Sequence, residues 1–180
     1  MTVRLVRLLD ANVVIDANRD YYPIDRVPEF WTWLEAQGLV GDIKVPVEVY
    51  EEFSDGKDTL AAWAKSATVK SALVLRESAD STPVSRVVIE GYAPDLADDE
   101  IEELGRDPFL ISYALVNPDQ RCIVTTEFSK PSRTRANRHI PDVCRGLGIP
   151  CCNTYEMLRR LDFRTNWRRA SGDSGERTSP

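Results

Sequence analysis

The sequence has 180 residues, 42% apolar and 29% charged, which is typical of a globular domain that can bury its own core. No apolar run approaches the roughly 20 residues of a membrane span, and Arg4 and Arg7 interrupt any signal-peptide core, so we expect a cytoplasmic protein. A single histidine and four cysteines without zinc-site spacing argue against a His-based metal site or a Ser–His hydrolase, and we expect free, buried thiols. Any catalysis must therefore depend on carboxylates.

The first half of the chain predicts one strand followed by helices. Residues 4–9 read as a short buried strand with Asp10 at its carboxyl end. The predicted helices span 27–38, 45–53 and 58–67. Pro28 begins the first helix, Gly38 ends it, and its aromatic stripe predicts core packing. The second helix places Glu48 and Glu52 on one face.

The second half predicts strands and helices in alternation. The helices are expected at 84–90, 99–104, 107–116, 141–148 and 153–161, and the strands at 121–127 and 149–152. Asp107 and Asn153 are suited to N-cap positions, and Gly148 should end its helix. We expect a domain over 1–163 and a basic, disordered tail over 164–180. The alternation predicts an α/β domain with a mainly parallel sheet, whose ligands bind beyond the carboxyl ends of the strands.

An acid interrupts the most apolar N-terminal segment, "RLVRLLDANVVID". Asp10 could simply cap a following helix, or it could be one of several acids that meet at a site. Asp10 and Glu127 each end a strand, Asp107 begins a helix, and Glu52 lies on another helix. Taken singly, each acid has an ordinary structural role. Together they would repel one another unless a cation neutralised them, and Mg²⁺ or Mn²⁺ prefers such oxygen ligands.

Four segments resemble the PIN domain, a family of metal-dependent ribonucleases, over residues 4 to about 162: "LLDANVVID", "VPVEVYEEF", "DPFLISYAL" and "IVTTEF". The resemblance implies a three-layer α/β/α sandwich in which Mg²⁺ or Mn²⁺ is held by Asp10, Glu52, Asp107 and Glu127, with Asn12 assisting. Glu127 departs from the pattern, because aspartate is common at that position. "YYPID" and "PDVC" are similar to a PIN-like subfamily of largely uncharacterised bacterial proteins, which makes Asp142 a fifth candidate ligand.

The resemblance also implies a function, namely hydrolysis of RNA by a toxin of a bacterial toxin–antitoxin pair. Its expected partners are RNA, an antitoxin protein and a second copy of the chain. A nuclease acting on DNA or structured RNA, or a non-catalytic interaction protein, are the alternatives.

Charge is unevenly distributed along the chain, whose net charge is −6. A basic loop could bind phosphates or could be a solvated face; its cations are Lys130, Arg133, Arg135 and Arg138. Residues 95–107 hold seven acids and one base. This acidic stretch could repel RNA from the wrong face or could meet a basic partner.

Overall fold

The computed structural model describes residues 4–170, and its centre is a four-stranded, all-parallel sheet. The strands are β1 (Val6–Leu9), β2 (Ile43–Lys44), β3 (Arg121–Val124) and β4 (Cys151–Cys152), in the order β2-β1-β3-β4. In the two central strands, Leu9 lies opposite Val124, so their carboxyl ends are level. Helices flank the sheet, which confirms the predicted α/β sandwich.

The helices account for most of the remaining chain. In chain order they are α1 (Ala11–Asp16), α2 (Pro28–Val40), α3 (Val47–Ser54), α4 (Thr59–Ala64), α5 (Ala67–Leu73), α6 (Ser81–Arg86), α7 (Asp98–Glu103), α8 (Asp107–Leu115), α9 (Ile140–Leu147), α10 (Thr154–Arg160) and α11 (Trp167–Ala170). Two of them continue without a break into π-helical turns: α1 into Ala17–Tyr21 and α6 into Val87–Tyr92. Such turns occur often at functional sites. No helix within residues 4–170 has the length and apolar content needed to cross a membrane.

The core lies between the sheet and its helices. Leu8 and Leu9 of β1 and Ile123 and Val124 of β3 are fully buried. The aromatic stripe of α2 is buried as predicted, with Trp33 among the largest enclosed side chains. Three of the cysteines are buried, and all four are free thiols, as expected from their apolar surroundings.

Glycine placement shows where the predicted helix boundaries were wrong. Helix α2 runs two residues past its predicted end at Gly38, to Val40, and is followed by Gly41, whose φ of 85° suits a residue without a Cβ. Gly38 lies inside the helix because a Cβ there would come within 2.8 Å of the carbonyl oxygen of Ala72. By contrast, Gly148 ends α9 with a φ of 70°, as predicted, and Asn153 caps α10 through the amide of Glu156.

The structure describes the first residues of the predicted C-terminal tail. Residues 164–170 include the helical turn α11, and Trp167 packs against the core. An aromatic side chain of the predicted tail is therefore part of the packed domain. The rest of the predicted tail, residues 171–180, lies outside the described residues.

Candidate active site

Asp10 ends β1, and its side chain is bound by the segment that follows β3. The Thr125 hydroxyl donates to Asp10 Oδ2 at 2.9 Å, and both residues are buried. Asp10 occupies the N-cap position of α1, but no capping hydrogen bond forms, although the nearby amides of Ala11 and Asn12 lower its pKa a little. Helix capping therefore does not explain this acid. Asn12 itself is exposed at the start of α1.

Burial leaves the negative charge of the Asp10 carboxylate poorly stabilised. Loss of solvent raises the pKa of Asp10 to about 6, against the opposing effect of the Thr125 hydrogen bond and with a further rise from the charge of Glu127. A carboxylate in such surroundings calls for a proton or a cation.

Asp107 shows the same effect more strongly. Burial is the main cause, and the charges of Asp10, Glu127 and Glu52 add to it, so that the pKa of Asp107 rises to about 8. Asp107 is the first residue of α8, and Arg106 occupies the N-cap position predicted for it. The structure thus brings together four of the predicted acids, hereafter the acidic cluster: Asp10, Glu52, Asp107 and Glu127.

Glu127 is held by its backbone and by its carboxylate. Its N–H donates to the Thr125 hydroxyl at 3.1 Å, the same hydroxyl that binds Asp10. One carboxylate oxygen accepts from the amide of Ile140 at 2.7 Å, at the start of α9. The N-terminus of a helix favours a negative charge, so α9 helps to position this acid.

Glu52 reaches the cluster from α3. Although much of its side chain is exposed, partial burial of the carboxyl and the charge of Asp10 raise its pKa, while the charge of Arg106 lowers it. Glu48, predicted to share a face with Glu52, instead accepts a hydrogen bond from the Tyr113 hydroxyl at 3.2 Å. Arg106, whose charge lowers the pKa of Glu52, is thus a cation near the cluster that no sequence pattern indicated.

Asp142, the fifth candidate ligand, is occupied by other contacts. The Ser129 hydroxyl donates to its carboxylate at 2.5 Å and the amide of Lys130 at 2.6 Å, and Arg145 forms an ion pair at 3.1 Å. These contacts, the Ser129 hydrogen bond first, lower its pKa. These contacts anchor the basic loop against α9, so the carboxylate predicted as a metal ligand is hydrogen-bonded and ion-paired within the fold.

The basic loop divides into cations with protein partners and cations without them. Arg135 pairs with Asp95 at 2.8 Å and with Glu100 at 2.7 Å, so the acidic stretch meets its basic partner within the same chain. Arg138 donates to the backbone carbonyls of Gly91 and Asp142. These two arginines, predicted to bind substrate phosphate, are thus engaged by groups of the same chain. Within residues 4–170, the side chains of Lys130 and Arg133 are exposed and have no partner.

Tyr92 is a further residue of the site that no sequence pattern indicated. It ends the π-helical turn after α6 and is 6% exposed, and its hydroxyl has no hydrogen-bond partner among the described residues. Burial, then the charges of Asp107 and Glu127, raise its pKa. The turn packs closely on α9, where a Cβ at Gly91 would come within 2.8 Å of Val143. Tyr92 thus supplies an uncommitted hydroxyl to the acidic cluster.

Within residues 4–170, no three His, Cys, Asp or Glu side chains stand in an arrangement that could hold a metal ion. The charges of these acids nevertheless raise one another's pKa, as they do at Asp107 and Glu52. The donor set contains only oxygen, which matches Mg²⁺ or Mn²⁺ and not zinc.

Comparison with known proteins places the chain in a family but assigns no activity. No curated protein and no solved structure matches it. A family model described as a domain of unknown function, DUF4411, matches residues 8–165, which include every acid of the cluster and the whole basic loop. Because this match covers most of the chain, the protein belongs to the DUF4411 family.

Proposed function

We propose that the protein is a Mg²⁺- or Mn²⁺-dependent endoribonuclease of PIN-like mechanism that acts in the cytoplasm. One observation carries the proposal: the pKa of Asp107, at the start of α8, is raised by burial and by the charges of Asp10, Glu127 and Glu52, which follow β1, follow β3 and lie on α3. Acids placed this way destabilise the fold, so a function must account for their proximity.

A divalent cation fits the acidic cluster because the negative charge of its carboxylates is not compensated. The pKa of Asp107, about 8, means that its carboxyl keeps a proton at neutral pH when no cation is near. A bound cation would replace that proton, with Asp10, Glu52, Asp107 and Glu127 as ligands and the exposed Glu52 side chain moving inward. The cation would supply polarisation of a phosphodiester and a lowered pKa for the attacking water.

The surrounding residues have distinct roles in this proposal. Thr125 holds Asp10 and the Glu127 backbone in fixed relation, so the two strand ends act as one unit. The buried Tyr92 hydroxyl, which has no partner among the described residues, is available to donate a hydrogen bond beside the acidic cluster. Arg106 and the exposed Lys130 and Arg133 bind substrate phosphates, which positions RNA without reading its sequence.

The proposal is tested by cleavage of a labelled single-stranded RNA with Mg²⁺ or Mn²⁺ and with excess EDTA. We expect cleavage only with metal, and its loss in Asp10→Asn and Asp107→Asn. Asp98→Asn is the matched control, because it removes the same charge from an exposed acid of α7 that lies outside the cluster. Undiminished cleavage in EDTA, or equal activity of Asp10→Asn and Asp98→Asn, would refute a carboxylate–metal mechanism.

The toxin role is supported by the resemblance alone. It predicts that induced expression of the wild-type chain arrests bacterial growth and that expression of Asp10→Asn does not. It also predicts an antitoxin protein as partner, whose co-expression relieves the arrest. Growth that is equal with both chains would limit the proposal to a nuclease outside a toxin system.

A further inference from the structure

A cleft of about 240 Å³ lies at the carboxyl edge of the sheet. It is bounded by the π-helical turn after α1, by the segment after β3 and by the start of α10. Thr126 and Phe128 line the cleft, and Glu127 of the acidic cluster lies between them in the chain. The cleft and the acidic cluster therefore share one short backbone segment.

The cleft collects the exposed aromatic side chains of the molecule. Among the large apolar residues that are exposed within residues 4–170, three are aromatic: Phe128 at 76%, Tyr155 at 59% and Tyr21 at 43%. All three line this cleft, and the ring centres of Tyr21 and Tyr155 are 6.4 Å apart. Exposed rings that gather at one place and are absent elsewhere mark a binding surface.

Polar groups accompany the rings. Thr154 lines the cleft and is 7% exposed, and its hydroxyl has no hydrogen-bond partner among the described residues. The carboxylate on the cleft, Asp16, pairs with Arg19 at 2.8 Å, and Arg19 also pairs with Asp20 at 2.7 Å. The cleft thus offers ring faces and an uncommitted hydroxyl, and the carboxylate that lines it is ion-paired.

We propose that this cleft binds one unpaired nucleobase of the RNA strand, stacked on Phe128 and Tyr155, while an adjacent phosphate of that strand lies at the acidic cluster. The inference rests on the proposed function and names how its substrate is held. Stacking on aromatic rings is a general mode of binding single-stranded nucleic acid. The volume, about 240 Å³, is below that of clefts for drug-sized ligands and suits one ring system.

The test compares binding of two labelled hexamers by fluorescence anisotropy, oligoadenylate and an abasic ribose-phosphate chain of equal charge. All proteins carry Asp10→Asn, so that cleavage does not interfere. Phe128→Ala and Tyr155→Ala should each weaken oligoadenylate binding about 10-fold, which is the effect of losing one stacking ring. Phe128→Trp should retain binding, and binding of the abasic chain should not change.

Leu39→Ala is the matched control, because Leu39 is 68% exposed near the end of α2 and does not line the cleft. It should bind both hexamers like its parent. Thr154→Val removes only the hydroxyl, and should alter the ratio of affinities for oligoadenylate and oligouridylate. Circular dichroism verifies that each variant is folded.

Undiminished oligoadenylate binding by Phe128→Ala and Tyr155→Ala would overturn the proposal and leave the exposed rings to a protein partner. An equal loss for the abasic chain would also overturn it, because that loss would not depend on a base. The proposed nuclease is judged separately, by metal-dependent cleavage with the wild-type chain. RNA binding that depends on the rings, without cleavage, would reject the proposed nuclease and retain the proposed base-binding cleft. Cleavage that is independent of both rings would retain the nuclease and reject the cleft.

Discussion

Replacing Asp107 with Asn should stabilise the metal-free protein at pH 8. Burial, followed by the charges of Asp10, Glu127 and Glu52, raises the pKa of Asp107 to about 8 from an ordinary value of 3.8. At pH 8 much of the wild-type protein carries this charge in a site that opposes it. Asparagine has nearly the same shape and no charge, so it removes the repulsion and keeps the helix start.

The sign follows from proton linkage. A carboxyl whose pKa is higher in the folded state contributes stability that is fully present below its unfolded pKa and is lost as the pH rises through its folded pKa. For Asp107 the loss runs from about pH 4 to pH 8. At about 1.4 kcal/mol per pH unit the effect by pH 8 is about 5 kcal/mol, and screening by the solvent that Asp107 still contacts reduces it to about 1–2 kcal/mol.

Urea unfolding in EDTA at pH 5 and pH 8 measures this effect. At pH 5 the difference in free energy of unfolding should be small, because only about one pH unit of the range from pH 4 to pH 8 has been crossed. At pH 8 Asp107→Asn should be more stable by about 1–2 kcal/mol. Asp98→Asn should show no such pH-dependent gain. A variant less stable than wild type at both pH values would refute the reasoning, because Asp107 would then make stabilising contacts as a carboxylate.

Three further predictions concern the residues around the cluster. Tyr92→Phe should unfold at equal or higher urea concentration, because losing an unpaired buried hydroxyl raises the free energy of unfolding by up to about 1 kcal/mol. The same variant should cleave RNA more slowly in a single-turnover assay. An unchanged rate would mean that Tyr92 serves only in packing. Glu52→Gln should lose most cleavage activity and Glu51→Gln none in the same assay, and the opposite result would mean that Glu51 faces the cluster. Arg133→Ala should reduce the salt dependence of RNA affinity, measured by anisotropy. Arg135→Ala should not, because the charge of Arg135 is already paired with Asp95 and Glu100. Equal salt dependence in the two variants would contradict the division between paired and unpaired cations.

Much of the fold and most of the acidic cluster could be predicted from the sequence, because both depend on local patterns. An apolar run that stops at Asp10, or a proline after Asp107, marks the end of a strand or the start of a helix without reference to the rest of the chain. Parallel strands then bring such ends to one edge of the sheet. That is why Asp10, Asp107 and Glu127 could be grouped from the sequence, whereas Glu52 lies within α3 and has no such local mark.

What the tertiary structure alone decided is which polar groups are already satisfied. From the sequence, Arg135 was expected to bind substrate and Asp142 to bind metal. Their partners in the fold, Glu100 for Arg135 and Ser129 for Asp142, lie in other segments, and no local pattern predicts such pairing. Tyr92 is the opposite case, because no sequence pattern indicated it. Only the packing of its π-helical turn leaves its hydroxyl buried and unpaired beside the cluster. Hydrophobic periodicity follows from the geometry of one element, whereas ion pairs and orphaned hydroxyls depend on distances between elements, which the folded chain alone sets.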